Sequence, residues 1–412
     1  MLYLLKLAFR NLLRNTRRSL LAVLSVMLSI MFIVFMQGML GGFMGSLVRN
    51  YTRNETGHIR IATRDFVDKV RFYPVTENIE NPDSLIAGIK DDPDIAKHID
   101  IITKRIYFGV LLNNRGNNKN AVALAGDPAT EKDLLLLHKS ILPGGRYIRN
   151  ERETIIGAGL AEALDFKVGD TVKVMAQGGD YALHLRKFAV VGIFESGLKD
   201  MDERIFQIPL SDAEKLLRMK DETQQIILML DNYHRAEQVA SAIEQKIGTP
   251  ELSIQPWREA GIYGNYVTLA AKMYNIIYFV IALLGAFIIG NIMMMVVLER
   301  RREIGVLKSM GLSRIKILFL FISEGIILGL AGSLAGVAGG SLVSWYFHIF
   351  GLDFSKALSS VNMPMDSVVY TTIDTGGLAV AVVLGTLVSG LVSIIPSWQA
   401  ARMNAVNAIK SV

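Results

Sequence analysis

The chain of 412 residues contains no cysteine. Thiolate nucleophiles, iron–sulfur clusters, cysteine zinc sites and a disulfide-stapled secreted fold are thereby excluded. Histidine is scarce: there are six, at positions 58, 98, 138, 184, 234 and 348, with no pair at metal-ligand spacing. The sequence has no G-x-x-x-x-G-K-[ST] loop, so it cannot bind and hydrolyse ATP in the P-loop manner by itself. Neither a G-x-S-x-G elbow nor an H-E-x-x-H helix occurs, and Asp200, Asp202 and Glu203 read as a solvated turn rather than an acid–base dyad. Charge is sparse too, with 20% charged against 51% hydrophobic residues and a mean hydropathy of +0.35. That balance excludes disorder and a coiled-coil rod, and points to a mixture of water-facing and lipid-facing protein.

The hydrophobic excess is concentrated. Hydrocarbon about 30 Å thick needs roughly 20 consecutive apolar residues. Four runs meet that length: Leu20–Met44, Tyr274–Leu298, Ile317–Phe350, which contains Glu324, and Leu378–Ile395. The first follows a basic N-terminus, but its apolar core is longer than a signal-peptide h-region and no small-x-small cleavage site follows, so it reads as a retained span.

Charge orients the spans. Residues 1–19, the loop 299–316 and the tail after Pro396 together carry 13 basic and 2 acidic residues, or +11, which leaves −5 for everything else. Excess Lys and Arg mark the cytoplasmic side. Both termini and the loop 299–316 are therefore expected inside, with residues 45–272 and 351–377 outside. The net charge of +6 sits beside the spans, and a nucleic-acid partner loses its support.

The long excursion reads as mixed α/β. Strand-like patterns occur at Gly57–Ile61, Ile101–Asn113, Asn120–Ala125, Asp170–Met175, Leu183–Phe194, Arg204–Ile208, Gln225–Leu230 and Leu252–Gln255. Helical spacing occurs at Asp83–Lys90, Thr130–His138, Gly157–Leu164, Ser211–Met219 and Ala236–Ile247. Ser211 with Glu214 predicts a capping box, Arg204–Gln255 predicts one compact subdomain, and Thr154–Phe194 a second piece interrupted at Gly178-Gly179.

Three membrane features suggest mechanism. Residues 2–18 set Lys6, Arg10, Arg14 and Arg17 opposite Leu2, Leu5, Phe9, Leu12 and Leu13, an amphipathic pattern suited to the inner interface. In the loop 299–316, Glu303–Met310 can form two helical turns with Ile304 and Leu307 on one side. Gly311 can then take the left-handed position after the helix and Ser313 can cap the next one. Such a helix could carry force from a soluble partner into the bilayer; a basic hairpin that only sets orientation is the alternative. In the third run Gly325, Gly329, Gly332, Gly336 and Gly340 form a small-residue face for close helix packing. Glu324 beside it should face protein or water, as a structural partner or a proton relay.

Leu298–Gly340 (LERRREIGVLKSMGLSRIKILFLFISEGIILGLAGSLAGVAGG), the opening LAFRNLLRNTRRS and the closing PSWQAAR resemble the MacB/LolC/LolE/FtsX type of ABC transporter permease. So does the layout of one span, a large outer domain and three further spans. The usual proline a few residues after the last motif is here Asn404 or Asn407. IIGAGLAEALDFKVGDTVKVM and FAVVGIFESGLKDMDERIFQIPLSDAEKLL are most similar to the lipoprotein-releasing branch, although the connection Ala176–Arg186 is short, as in LolE-type subunits, which disfavours direct docking of a periplasmic carrier.

The resemblance implies an α-helical inner-membrane protein with four spans and a mixed α/β periplasmic domain between the first two. It implies pairing with an identical or homologous permease. It also implies two copies of a separate ATPase that carry ATP and Mg, with no cofactor or metal on this chain and no catalytic residue in it. ATPase coupling falls on Glu299, Arg300, Glu303, Ile304, Gly305, Leu307, Lys308 and Gly311, and a cargo cavity for a lipoprotein or other amphiphile on Met36, Met39, Phe43, Tyr274, Ile277 and Phe279. A MacB-like exporter of peptides or small amphiphiles, and a mechanical transmitter acting on a periplasmic partner, are the competing readings.

Overall fold

The computed structural model describes residues 2–14, 16–114, 116–260, 262–299, 301–354 and 368–402. It divides into two units, one built on Met1–Gly45, Ala270–Asp353 and the segment from Val368, the other on Ser46–Leu269.

The first unit is helical. Among the described residues three stretches, Ser19–Thr56, Arg314–Phe350 and Thr375–Arg402, are long and apolar enough to cross a membrane. The remaining run, Tyr274–Leu298, lies within a single 38-residue helix, Ile262–Glu299. Two boundaries differ from expectation. The amphipathic helix is Leu2–Arg14 and a new helix starts at Thr16, so Arg17 and Arg18 belong to the long first span helix. The last run bends after Val392 and resumes as Ile394–Arg402, with Pro396 in the first turn, where its missing N–H is no loss.

The glycine face of the Arg314–Phe350 helix sets the packing. A Cβ on Gly325 or Gly329 would collide with Ser393 or Ser389, whereas one on Gly332, Gly336 or Gly340 would lie 2.5, 2.7 and 2.7 Å from the Cβ atoms of Val26, Ile30 and Val34. One end of the stripe therefore seats the fourth run and the other end the first span. The small faces let backbones approach closely, which is the main source of helix association where no hydrophobic effect operates. Between Gly351 and Gly377, β12 (Leu352–Asp353) and β13 (Val368–Val369) pair, while the stretch 355–367 lies outside the described residues.

The second unit is a mixed α/β fold. Its strands are β1 (Ile59–Thr63), β2 (Ile79–Glu80), β3 (Ile99–Asn114), β4 (Asn117–Gly126), β5 (Glu153–Gly157), β6 (Thr171–Gln177), β7 (Leu183–Phe194), β8 (Ile205–Pro209), β9 (Glu222–Thr223), β10 (Gln225–Leu230) and β11 (Leu252–Pro256). Nine of them form one sheet in the order β11-β1-β10-β3-β4-β8-β5-β7-β6, and β2 pairs with β9. The contacts β4–β8 and β5–β7 are parallel. Every strand expected from alternation is present, and β2, β5 and β9 are additions.

The expected subdivision is overturned. Within Arg204–Gln255, β8 and the Leu210–Leu217 helix pack with Phe108, Phe188 and Val174, while β10 and the Ala236–Ile247 helix pack with Ile59, Ile89 and Trp257. The sheet order places β10 beside β1 and β3, three positions from β8, so chain proximity does not become one core. The capping box is also absent. The helix begins at Leu210, and the Ser211 hydroxyl instead donates to Glu151 Oε1 at 3.2 Å.

Candidate coupling site and membrane-unit contacts

Arg301–Ser309 forms the short helix expected between the second and third runs. It ends in a Schellman arrangement: Leu312 N–H donates to Leu307 O at 3.1 Å, Gly311 N–H donates to Lys308 O at 3.0 Å, and Gly311 has φ +91°. Ser313 occupies the N-cap position of Arg314–Phe350 as expected, but its hydroxyl makes no capping bond.

One face of this helix is anchored. Ile304 is 1% exposed in a cluster with Val297, Ile317, Phe321, Ala400 and Ala401, Gly305 is buried beside it, and Lys308 Nζ donates to Ala401 O at 2.7 Å. Trp398 and Arg402 of the closing motif stack, with the guanidinium 3.7 Å from the ring centroid. The opposite face is open: Val306 and Met310 are 44% and 76% exposed. Those two apolar side chains were missed by sequence reasoning, although their offset from Ile304 on a helix would have revealed them. Leu307 is half-buried and Gly311 exposed. Glu299 ends the preceding helix, and Arg300 lies outside the described residues.

The N-terminal helix reaches this site. Arg14 forms an ion pair with Glu303, and Asn11 Nδ2 donates to Glu324 Oε1 at 2.9 Å. Glu324 is 1% exposed, so the intramembrane carboxylate has a structural partner. The Leu2–Arg14 helix thus joins the short helix to the glycine-bearing span.

The six residues expected to line a cargo cavity between opposing subunits lie apart from the apolar cavity found within this unit. An apolar cavity of about 100 Å³ in this unit is lined by Val26, Ile30, Tyr278, Ile281, Leu384 and Val388 among others, and by none of the six. Met36, Met39, Phe43 and Tyr274 are half-buried, whereas Ile277 and Phe279 are 39% and 69% exposed. That cavity draws on residues 26–33 of the first run, 278–286 of the second and 381–388 of the fourth.

Residues 19–246 match the family described as MacB-like periplasmic core domain, and residues 275–405 the family described as FtsX-like permease, C-terminal. The lipoprotein-releasing system transmembrane protein LolC of Neisseria meningitidis is 26% identical over 73% of this chain and 75% of its own length. The macrolide export ATP-binding/permease protein MacB of Nitrobacter winogradskyi is 26% identical over 68% of this chain and 43% of its own length. The periplasmic region of MacB from Actinobacillus actinomycetemcomitans, a solved structure, aligns at 13% identity with a TM-score of 0.35, covering 48% of this chain and 88% of that one.

Proposed function

Because this chain belongs to the ABC transporter permeases of the LolC/MacB type, uniting a MacB-like periplasmic core domain with an FtsX-like permease region, we propose that it is the membrane subunit through which a separate ATPase moves the periplasmic domain. The single observation that carries this reading is the two-faced Arg301–Ser309 helix. Its inner face is locked by Ile304, its cap is rigid, and its outer face offers Val306 and Met310. A short helix anchored on one face and presenting Val306 and Met310 together on the other suits docking against a soluble partner.

In this reading Glu299, Arg300, Glu303 and Lys308 steer and brace the ATPase contact, ATP and Mg stay on the ATPase, and two permeases pair, each with its ATPase. The Ile262–Glu299 helix supplies the fourth crossing. Both termini face the cytoplasm of an inner membrane and Ser46–Leu269 faces the periplasm. The cargo is a lipoprotein released toward the outer membrane, supported by the extent of the LolC similarity and by the apolar cavity among the spans, roomy enough for part of an acyl chain.

A second reading, export of a peptide or small amphiphile, draws on the MacB-like core domain and on the short β6–β7 connection, Gly178–Ala182. The two separate on depletion. Lipoproteins stranded in the inner membrane support release; normal lipoprotein sorting with new sensitivity to amphiphiles supports export.

A further inference from the structure

Within the Ser46–Leu269 unit, beyond the lipid-length part of the first span helix, residues 52–56 make a π-helical turn followed by Gly57 at φ +66°. Arg105 fixes this turn. Its Nη1 donates to Arg53 O and Asn54 O, both at 3.2 Å, while its Nε and Nη2 donate to the Glu131 carboxylate at 2.9 and 2.6 Å. The Tyr107 hydroxyl also donates to Asn54 O. Both members of the Arg105–Glu131 pair are 0% exposed. The turn's carbonyls are thereby held on one side, and its next residue, Glu55, lines a cavity of about 230 Å³.

The cavity holds opposite charges that do not meet. Arg60 of β1 is 4% exposed. Its Nη2 donates to Gln255 Oε1 at 2.6 Å, and its Nε is buried with no partner. Among the described residues Glu55 makes no hydrogen bond and no ion pair. Buried donors are nearly always satisfied, so the orphaned Arg60 Nε–H in the wall of a cavity that the exposed Glu55 also lines needs an explanation. Gln225, 3% exposed, adds a polar wall, and Tyr73 stacks on Tyr107 with centroids 5.6 Å apart. Asp200, which pairs with Arg204 at 3.1 Å, and the exposed Arg71 complete a balanced rim.

We propose that this cavity binds a small zwitterion carrying a primary ammonium and an anionic oxygen group, the ammonium at Glu55 and the anion at the Arg60 guanidinium. A simple anion would face Glu55 and Asp200, and a simple cation would face Arg60 and Arg71. A dipolar ligand satisfies both sides. The volume falls below the roughly 300 Å³ at which drug-sized pockets begin, which suits a molecule the size of phosphoethanolamine.

The test is calorimetric titration of the full chain, in phosphatidylglycerol nanodiscs, with O-phosphoethanolamine. Saturable binding is expected. It should weaken at least tenfold in Glu55→Gln, and weaken in Arg60→Lys, with unchanged thermal unfolding as the fold control. In phosphatidylethanolamine nanodiscs, loss of apparent affinity identifies a lipid headgroup as the natural source, and unchanged affinity identifies a soluble zwitterion. Absence of saturable binding overturns the proposal. So does equal binding of glycerol 3-phosphate, which lacks the ammonium, or binding unaltered in both variants.

Discussion

Asn11 on the N-terminal helix donates to Glu324 inside the third run, at 2.9 Å and across 313 positions of sequence. This bond makes the amphipathic helix a structural brace rather than a tethered tail, because the buried carboxylate it satisfies belongs to the helix that also seats the first span and the fourth run. A proton relay needs an acid at this position; a brace needs a hydrogen-bonding side chain of the same shape. Glu324→Gln should therefore retain most activity, whereas Glu324→Ala leaves the brace broken and should cost roughly 1–3 kcal/mol. Thermal unfolding in micelles and protease protection of residues 2–14 read the difference. Loss of activity in Glu324→Gln with unchanged stability would support the relay instead.

The Arg14–Glu303 pair makes a different prediction, since both side chains are about half exposed. A surface ion pair is worth at most about 1 kcal/mol, so Arg14→Glu and Glu303→Arg should leave stability near its starting value. Each should nevertheless lower transport per ATP hydrolysed, and the double exchange should restore it. Equal coupling in all four proteins would reduce the pair to an incidental contact.

Glycine spacing yields a matched pair of variants. A Cβ at Gly336 would lie 2.7 Å from Ile30 Cβ and from Met27 O, whereas at Gly339 the nearest atom is Met31 Sδ at 3.3 Å, the end of a flexible side chain. Overpacking typically costs about 1–3 kcal/mol. Gly336→Ala should therefore fall markedly in melting temperature while Gly339→Ala changes little.

These cases show what could be read from residue order. The glycine stripe was legible because spacing alone puts small residues on one face, and Gly311 because only a left-handed residue closes such a helix end. What the stripe touches was not legible, since Val26 and Ser389 arrive from distant runs. β5 escaped notice because all five residues are buried, which removes the alternation that marked its neighbours. Ser211 was read as a cap from its local pattern, and a contact with Glu151, 60 positions away, took its hydroxyl instead. The Arg204–Gln255 subdomain failed because cores follow sheet order, not proximity along the chain.

Acid should loosen the Ser46–Leu269 unit through His58. Burial lowers its pKa from 6.5 to about 4, and its Nδ1 accepts the Leu230 N–H at 2.9 Å. The unfolded chain binds a proton at this residue below about 6.5 and the folded one only near 4, so stability present above pH 6.5 declines as pH falls across that window and levels off below it. The full contribution is about 3 kcal/mol. Hydrogen exchange of β1 and β10 in the full chain should accelerate between pH 6.5 and 4 after correction for intrinsic rates, and His58→Gln should flatten that dependence.

The account rests on the Arg301–Ser309 helix presenting one face to an ATPase, and a chain without cysteine lets this be measured directly. Single cysteines at Val306, Met310 and Ile304 should be introduced, the chain expressed with its ATPase, and crosslinking compared with and without nucleotide. The outer-face positions 306 and 310 are predicted to crosslink to the ATPase in a nucleotide-dependent manner, and the buried position 304 to remain unreactive. Crosslinking that is equal at all three positions, or absent at 306 and 310 while the ATPase still copurifies, would contradict it.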